Sequence, residues 1–314
     1  MNRTILSVGA ALGAGLVAIA AASAAQEPWW NSKYGEDDTL GAVNNLSPEG
    51  VRKAARLIRS GKTYSLAIPT GPNSPAYGSR RYEVTISPAP GGNTTPNGSQ
   101  RVTSHDERVV TSMGIGTQLD GLGHLGVDHH YYNGLTGAEL NTKDGFKKLE
   151  LSNIPPIVTR GVVIDMTKHY QRQLVVGDAF GRAEIEAAMR AQRLRINRGD
   201  VVLFHTGWMR MIAEDKATYN RSEPGLTEDG AQYLADLGVV AVGADNIALE
   251  QLPSPPGKSF IVHQTLLAKN GVHILENVNT GPLVADGVKE FMFVLGQPRF
   301  VGTVQVVVNP IAIR

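Results

Sequence analysis

The sequence predicts a single α/β domain built on a mixed sheet. Continuous apolar runs at 201–204 and 239–242 are typical of strands that are buried on both faces. Segments with helical spacing, such as 183–193, alternate with these runs. Polar residues stand at the ends of three predicted strands or directly after them, at His205, Asp245 and Glu276. Proteins of the α/β class place their ligands at such strand ends, so the functional site is expected there.

The elements can be assigned in order along the chain. Ser47 is a helix cap and Pro48 fits the first turn that follows it. We predict helices at 48–59, 183–193, 228–237 and 262–269, strands at 63–68, 81–86, 108–113, 157–165, 201–204, 239–245 and 272–275, and a strand-rich tail at 300–312. Residues 70–100 are rich in Pro, Gly, Asn and Ser and predict a long loop, either a functional lid or a tolerated surface excursion.

Composition excludes several classes of protein. The 314 residues carry a formal net charge of +1, which gives no reason to expect nucleic acid or an anionic membrane surface as a partner. The chain has no cysteine, so disulfides, thiolate metal sites and a cysteine nucleophile are excluded. A serine nucleophile elbow of the G-x-S-x-G type is also missing from the sequence. A metal, if bound, must therefore be held by His, Asp, Glu or amide oxygen.

The first 24 residues predict a signal peptide. Asn2 and Arg3 precede an apolar stretch at 5–20, and Ala22-Ser23-Ala24 offers a small-residue cleavage site. Cleavage after Ala25 fits equally well, and a retained anchor helix is the alternative. The mature domain would then be 25–314, in the periplasm or secreted, with no stable membrane insertion after cleavage.

The glycine-broken segment 116–124 concentrates residues that can bind metal. Gln118 and Asp120 are two apart, so an extended strand would direct both side chains to one face. His124 follows four residues after Asp120, and a turn could return its imidazole to the same point. Carboxylate and imidazole together are ligands for zinc or manganese. The alternative is a set of ordinary surface or capping residues.

Two downstream residues extend this set. His263 lies on a predicted helix and Glu276 ends the next predicted strand. With them, the chain resembles the cyclase-type metal hydrolases, the family of bacterial kynurenine formamidase and isatin hydrolase. That family carries His-x-Gly-Thr-His-x-Asp-x-Pro-x-His, then a helix with a ligand His and a Leu-Glu-Asn segment. The matching segments are Gly116-Thr117, Asp120, His124, 199–203, 206–208, Gly243, Asp245, His263 and 275–277, so the resemblance covers nearly the whole mature chain.

The resemblance implies roles for individual residues. Asp120, His263 and Glu276 are expected to be metal ligands, with zinc or manganese as the ion, and Gln118 is a further candidate through its amide oxygen. His124 matches the family's acid/base position. The chain departs from the family motif at Gly114, Gln118 and Leu122, so two imidazoles that the formamidases use for a two-zinc site are missing. The resemblance also implies a swivelling β/β/α architecture and a homo-oligomer.

The sequence therefore predicts an exported hydrolase of amide, lactam or related bonds in a small, cyclic or aromatic substrate. His129 and His205 are candidate substrate-binding residues; a solvated loop and a packing role are their respective alternatives. A second hypothesis is a metal-poor periplasmic binding protein on the same scaffold. A lyase or isomerase that uses the same metal and His124 is a third.

Overall fold

The computed structural model describes residues 28–314, so the predicted leader at 1–24 lies outside the described residues. The strands are β1 (Thr63–Ser65), β2 (Tyr82–Ser87), β3 (Asp106–Thr111), β4 (Gln118–Asp120), β5 (Asn141–Thr142), β6 (Gly145–Phe146), β7 (Ile157–Asp165), β8 (Ala179–Phe180), β9 (Val201–His205), β10 (Gly225–Leu226), β11 (Ala241–Ala244), β12 (His273–Glu276), β13 (Glu290–Leu295), β14 (Gln305–Val307) and β15 (Ile311–Ile313). The α-helices are α1 (Pro48–Ala55), α2 (Gly137–Leu140), α3 (Met166–Tyr170), α4 (Arg182–Gln192), α5 (Met211–Glu214), α6 (Lys216–Tyr219), α7 (Glu228–Asp236), α8 (Ile261–His263) and α9 (Gly281–Ala285).

A mixed nine-stranded sheet forms the centre, with strand order β1-β15-β13-β7-β9-β11-β12-β4-β14. The four middle strands, β7, β9, β11 and β12, run parallel. Strands β13, β15 and β1 extend the sheet antiparallel on one side, and β4 and β14 do so on the other. The predicted α/β class with a mixed sheet is confirmed.

The sheet is buried on both faces because alternate residues of each central strand enter separate cores. Val162 and Ile164 of β7 pack with the helices α4 and α7 on one face. Val163 of β7 and Leu203 of β9 pack into the core on the opposite face. Helices α1 and α9 contact β7. The central strands can therefore be apolar at every position, as the sequence runs indicated.

Several predicted elements agree with the structure to within a residue or two, and others differ from it. The helix predicted at 262–269 is present, but it begins as α8 and continues as a π-helix over Gln264–Lys269. The helix predicted at 48–59 ends at Ala55. Strand β13 was not predicted. Its buried positions alternate with half-buried ones, but the half-buried Met292 and Val294 are also apolar. The sequence therefore does not show the polar and apolar alternation that would predict a strand.

Close packing between β7 and β13 holds the antiparallel strands to the parallel centre. Gly161 lies opposite Phe291 in the strand pairing. A Cβ at Gly161 would lie 2.2 Å from Phe291 Cε2, and Phe291 is fully buried. The ring therefore occupies the space that any other residue at 161 would need.

We expect Gly161→Ala to lower the free energy of unfolding by about 1–3 kcal/mol, because overpacking forces a buried ring from its place. Urea denaturation of the two proteins measures this difference. Gly296→Ala is the matched control, since a Cβ there meets nothing within 4 Å. Equal stability of the Gly161→Ala variant and the parent would contradict the packing described here.

Candidate metal centre

The register of three strands gathers polar side chains on one face of the sheet. Strand β4 lies between β12 and β14, with Gln118 opposite Glu276 and with Asp120 opposite both Ile274 and Gln305. Opposite residues in an antiparallel pair share a face, and so do residues two apart. Ile274 belongs to the core beneath the helices. The polar set therefore points toward the helical layer.

A histidine from that layer completes the cluster. His263, in α8, places Nε2 3.2 Å from Glu276 Oε1 and 3.7 Å from Asp120 Oδ2. Asp120, His263 and Glu276 each offer one ligand atom, and these atoms lie within 4.8 Å of one another. All three residues are buried. The structure thus brings together the residues that sequence analysis proposed as ligands.

The chemistry of this group fits a divalent cation. Asp120 Oδ1 accepts hydrogen bonds from Gln305 Nε2 at 2.8 Å and Gln118 Nε2 at 3.2 Å. Asp120 Oδ2 is buried and accepts no hydrogen bond from any residue of 28–314. A buried, unpartnered carboxylate oxygen is costly unless a cation meets it. Two carboxylates and one imidazole around that oxygen form a ligand set for zinc or manganese.

Burial and neighbouring charges shift the pKa values of all three residues of the cluster. Burial and the neighbouring Asp120 charge raise the pKa of Glu276 to about 7. Burial works against the Asp120 charge, yet His124 and His263 hold the pKa of Asp120 below its usual value. Burial also opposes the His263 charge, but the carboxylates around it raise the pKa of His263 well above its usual value. The carboxylates of the cluster thus favour a positive charge between them. Either bound protons or a metal ion can supply that charge, so the two compete.

Glu250, which sequence analysis missed, orients the ligand histidine. Its Oε1 accepts from His263 Nδ1 at 2.7 Å and from the backbone N–H of His263 at 3.1 Å. These bonds leave Nε2 facing Asp120 and Glu276. Metal-binding histidines commonly donate their second N–H to a carboxylate in this way. The only sequence signal was a charged residue following the apolar run 247–249, and no spacing related it to position 263.

Hydrogen bonds lock the two motif segments together. Thr117 Oγ1 donates to the carbonyl of Asn277 at 2.6 Å, and Asn277 Nδ2 donates to the carbonyl of Gly116 at 2.8 Å. Gly116 has a φ of +60°. A Cβ at Gly116 would also lie 2.8 Å from Thr70 Oγ1, so glycine is required there twice over. The lock sets the register that places Gln118 against Glu276.

Two of the departures from the family motif, at Gln118 and Gly114, have structural consequences. Gln118 Nε2 donates to Glu276 Oε2 at 2.6 Å, so the amide nitrogen, rather than the predicted oxygen, faces the carboxylates. A Cβ at Gly114 would lie 2.7 Å from Gln305 Nε2 and 2.8 Å from Arg80 Cζ. The space that a larger residue at 114 would need is therefore filled by these two side chains.

His124 stands at the edge of the cluster and lines a cavity of about 180 Å³ beside it. Its Nε2 lies 4.0 Å from Asp120 Oδ2, and its ring meets that of His263 edge to face at 6.3 Å. Burial lowers the pKa of His124, and this outweighs the opposing effect of Asp120. The imidazole is thus favoured in its neutral form, next to both the cluster and the cavity.

The two histidines predicted to bind substrate do not line this cavity. His129 is exposed on a loop, where its carbonyl accepts from the backbone N–H of Gly137. His205 Nδ1 lies 2.8 Å from Thr280 Oγ1 and 3.3 Å from Asp245 Oδ2. Burial lowers the pKa of His205, but Asp245 more than offsets this and raises it. His205, the last residue of β9, thus pairs with Thr280 and Asp245 and does not line the cavity.

A model of a known protein family matches the part of the chain that contains much of this arrangement. The family model described as Cyclase matches residues 64–251. The chain belongs to the Cyclase family. The match includes the segment from Gly116 to His124 and also Glu250, whereas His263 and Glu276 follow it. The family resemblance predicted from the sequence is confirmed.

Solved structures extend the similarity of this Cyclase-family chain beyond the matched segment. A crystal structure described as a novel cyclase is 29% identical with a TM-score of 0.81, over 91% of this chain and 99% of that chain. An isatin hydrolase bound to the product analogue thioisatinate is 18% identical with a TM-score of 0.59, over 85% and 98%. A Bacillus stearothermophilus protein described as a predicted metal-dependent hydrolase is 21% identical with a TM-score of 0.52, over 80% and 97%. The last two likenesses establish the fold alone. No curated protein matches the chain.

We expect Glu250→Ala to weaken zinc or manganese binding by about 10- to 100-fold, as losses of such supporting carboxylates do in other metal sites. The reason is that His263 loses the acceptor that fixes its ring. Isothermal titration with each ion measures the affinity, and Glu250→Gln, which keeps an acceptor oxygen, should lose less. Glu49→Ala, at an exposed site in α1, is the control. A folded Glu250→Ala variant with parental affinity would rule out this role.

Proposed function

We propose that this Cyclase-family chain is an exported metal-dependent hydrolase of carbon–nitrogen bonds. Its substrate would be a small molecule with an amide or lactam bond, cyclic or aromatic in character. The observation that carries the proposal is the buried group of Asp120, His263 and Glu276, directly beside a cavity that His124 also lines. The fold likeness to an isatin hydrolase supports the same class of reaction.

Asp120, His263 and Glu276 would hold the ion, zinc or manganese. A divalent cation in such a site supplies Lewis-acid chemistry, which polarises a substrate carbonyl and makes water more acidic. Gln118 and Gln305 fix the Asp120 carboxylate by hydrogen bonds to Oδ1. Glu250 fixes the His263 ring. These contacts hold the ligand atoms in place before any ion or substrate arrives.

His124 would move the proton. Its Nε2 is close to Asp120 Oδ2, and burial favours the neutral imidazole, which can accept a proton from the water that attacks the substrate carbonyl. The same nitrogen can return the proton to the nitrogen of the bond that breaks. Because His124 is part of the cavity wall, it can reach a substrate held beside the cluster.

The experiment compares metal content and amide hydrolysis in three variants. We expect the purified protein to hold stoichiometric zinc or manganese, and Asp120→Ala to lose both metal and activity. His124→Gln should keep the metal while kcat falls by about 10²- to 10⁴-fold, the usual contribution of a general acid–base group. His105→Gln, which changes an exposed histidine outside the cluster, should behave like the parent.

Two results would contradict the proposal. If the protein takes up no metal even after supplementation, yet binds small molecules tightly, the binding-protein hypothesis gains. If His124→Gln hydrolyses amides at the parental rate, the proton transfer belongs to another group.

Export and homo-oligomeric assembly are part of the proposal and stay predictions from the sequence. Among residues 28–314, no helix is long and apolar enough to cross a membrane. Mass spectrometry of the chain recovered from the periplasm of an expressing bacterium tests export. We expect a mature protein that begins at Ala25 or Gln26. A full-length mass would contradict cleavage of the leader.

A further inference from the structure

The cavity beside the candidate metal centre has the size and walls for one aromatic ring. Its volume of about 180 Å³ is close to that of engineered apolar cavities, about 150 Å³, that bind benzene. Its apolar wall consists of Tyr77, Leu125, Ile247, Ala248 and Phe260. The rings of Tyr77 and Phe260 meet edge to face, 5.8 Å apart. A planar ring is therefore the apolar group that this wall suits best.

Arg80 adds a cation to this wall. The side chain lines the cavity together with His124 and Glu276. Its Nη1 donates to the carbonyl of Gly114 at 3.0 Å, and its Nη2 donates to Gln305 Oε1 at 3.3 Å. The guanidinium is thus anchored through two of its five N–H groups, and others remain for a ligand.

The charge of Arg80 is not neutralised by an ion pair. No carboxylate among residues 28–314 makes a salt bridge with Arg80. By contrast, its neighbour Arg81 pairs with Glu83 at 3.2 Å on the surface. Arg80 lies in the same cavity wall as His124 and Glu276, so its positive charge acts within the site. A guanidinium with free donors in a cavity wall is suited to bind a carboxylate.

Gly114 makes this placement possible. The guanidinium carbon of Arg80 lies only 2.8 Å from where a Cβ at Gly114 would stand. Any side chain at 114 would therefore displace Arg80 or Gln305. In the sequence, this glycine appeared only to replace a ligand histidine, but in the structure it provides the space for a guanidinium that lines the cavity.

We propose that Arg80 recognises an anionic group, above all a carboxylate, on a single-ring aromatic substrate whose amide or lactam bond faces His124. The proposal rests on the hydrolase function proposed above and narrows it to aryl amides that carry a negative charge. Arg80 is in this view a specificity-determining residue, because it distinguishes charged from uncharged aromatic molecules.

The test compares the binding of benzoate with that of benzamide, a neutral molecule of the same shape, by isothermal titration at one fixed zinc loading. We expect the parent protein to prefer benzoate. Arg80→Met should reduce this preference about 10- to 100-fold, the range for losing a hydrogen bond to a charged group. Benzamide binding should persist, which shows that the cavity is intact. Arg81→Met, the same change at the exposed neighbour, should leave the preference unchanged.

Each other outcome has a defined meaning. If Arg80→Met weakens benzoate and benzamide equally while remaining folded, the residue only supports the cavity and the proposal is overturned. If that variant loses its fold, Arg80→Lys decides, because a retained preference for benzoate supports recognition by charge and a lost one overturns it.

Hydrolysis of N-formylanthranilate and of neutral formanilide is measured in parallel. If neither is hydrolysed but the binding preference depends on Arg80, the hydrolase proposal fails and anion recognition stands.

Discussion

The pairing of β4 with β12 is the constraint on which the site depends. It buries the carboxylates of Asp120 and Glu276 on one face, where water cannot screen their mutual repulsion. Hydrogen bonds from Gln118 and Gln305 and the imidazole of His263 surround them, yet Asp120 Oδ2 remains without a hydrogen bond among the described residues. A packed apolar pair would be the less costly solution for a core. The arrangement is therefore best explained by a cation that binds there.

Two departures from the family motif, Gly114 and Gln118, stand where the family has imidazoles. Neither residue can bind metal as an imidazole does. At 118 an amide donates to both carboxylates, and at 114 a glycine leaves room for Arg80 and Gln305. Arg80 carries a permanent positive charge as part of the chain, whereas a bound metal ion can leave its site. Among the described residues, Asp120, His263 and Glu276 thus remain a possible ligand set, and the positive charge of Arg80 lies in the wall of the adjoining cavity. The absence of these two imidazoles leaves the group of Asp120, His263 and Glu276 intact, and in our proposal it alters the selectivity of the cavity.

Sequence reasoning identified those parts of the fold and site that depend on local pattern or on the motif. Asp120 and His124 were found by their spacing, and His263 and Glu276 by the resemblance. Glu250, Gln305 and Arg80 were not found, because only the tertiary register brings them to the cluster. Gln305 lies opposite Asp120 solely because β14 pairs with β4. His129 and His205 were only candidates for substrate binding, since being near a motif or a strand end does not reveal which way a side chain points.

Two hydrogen bonds to Glu250, more than the short helix α8, determine the position of His263. Helix α8 spans only Ile261–His263 before the chain continues as a π-helix, and such short turns are weak supports for a ligand. Glu250 holds both the backbone N–H and the ring Nδ1 of this residue. Two bonds from one carboxylate fix the backbone position and the ring orientation together. Glu250 lies in the segment that follows β11, so these bonds tie the ligand histidine to the segment that leaves the sheet carrying Asp120 and Glu276.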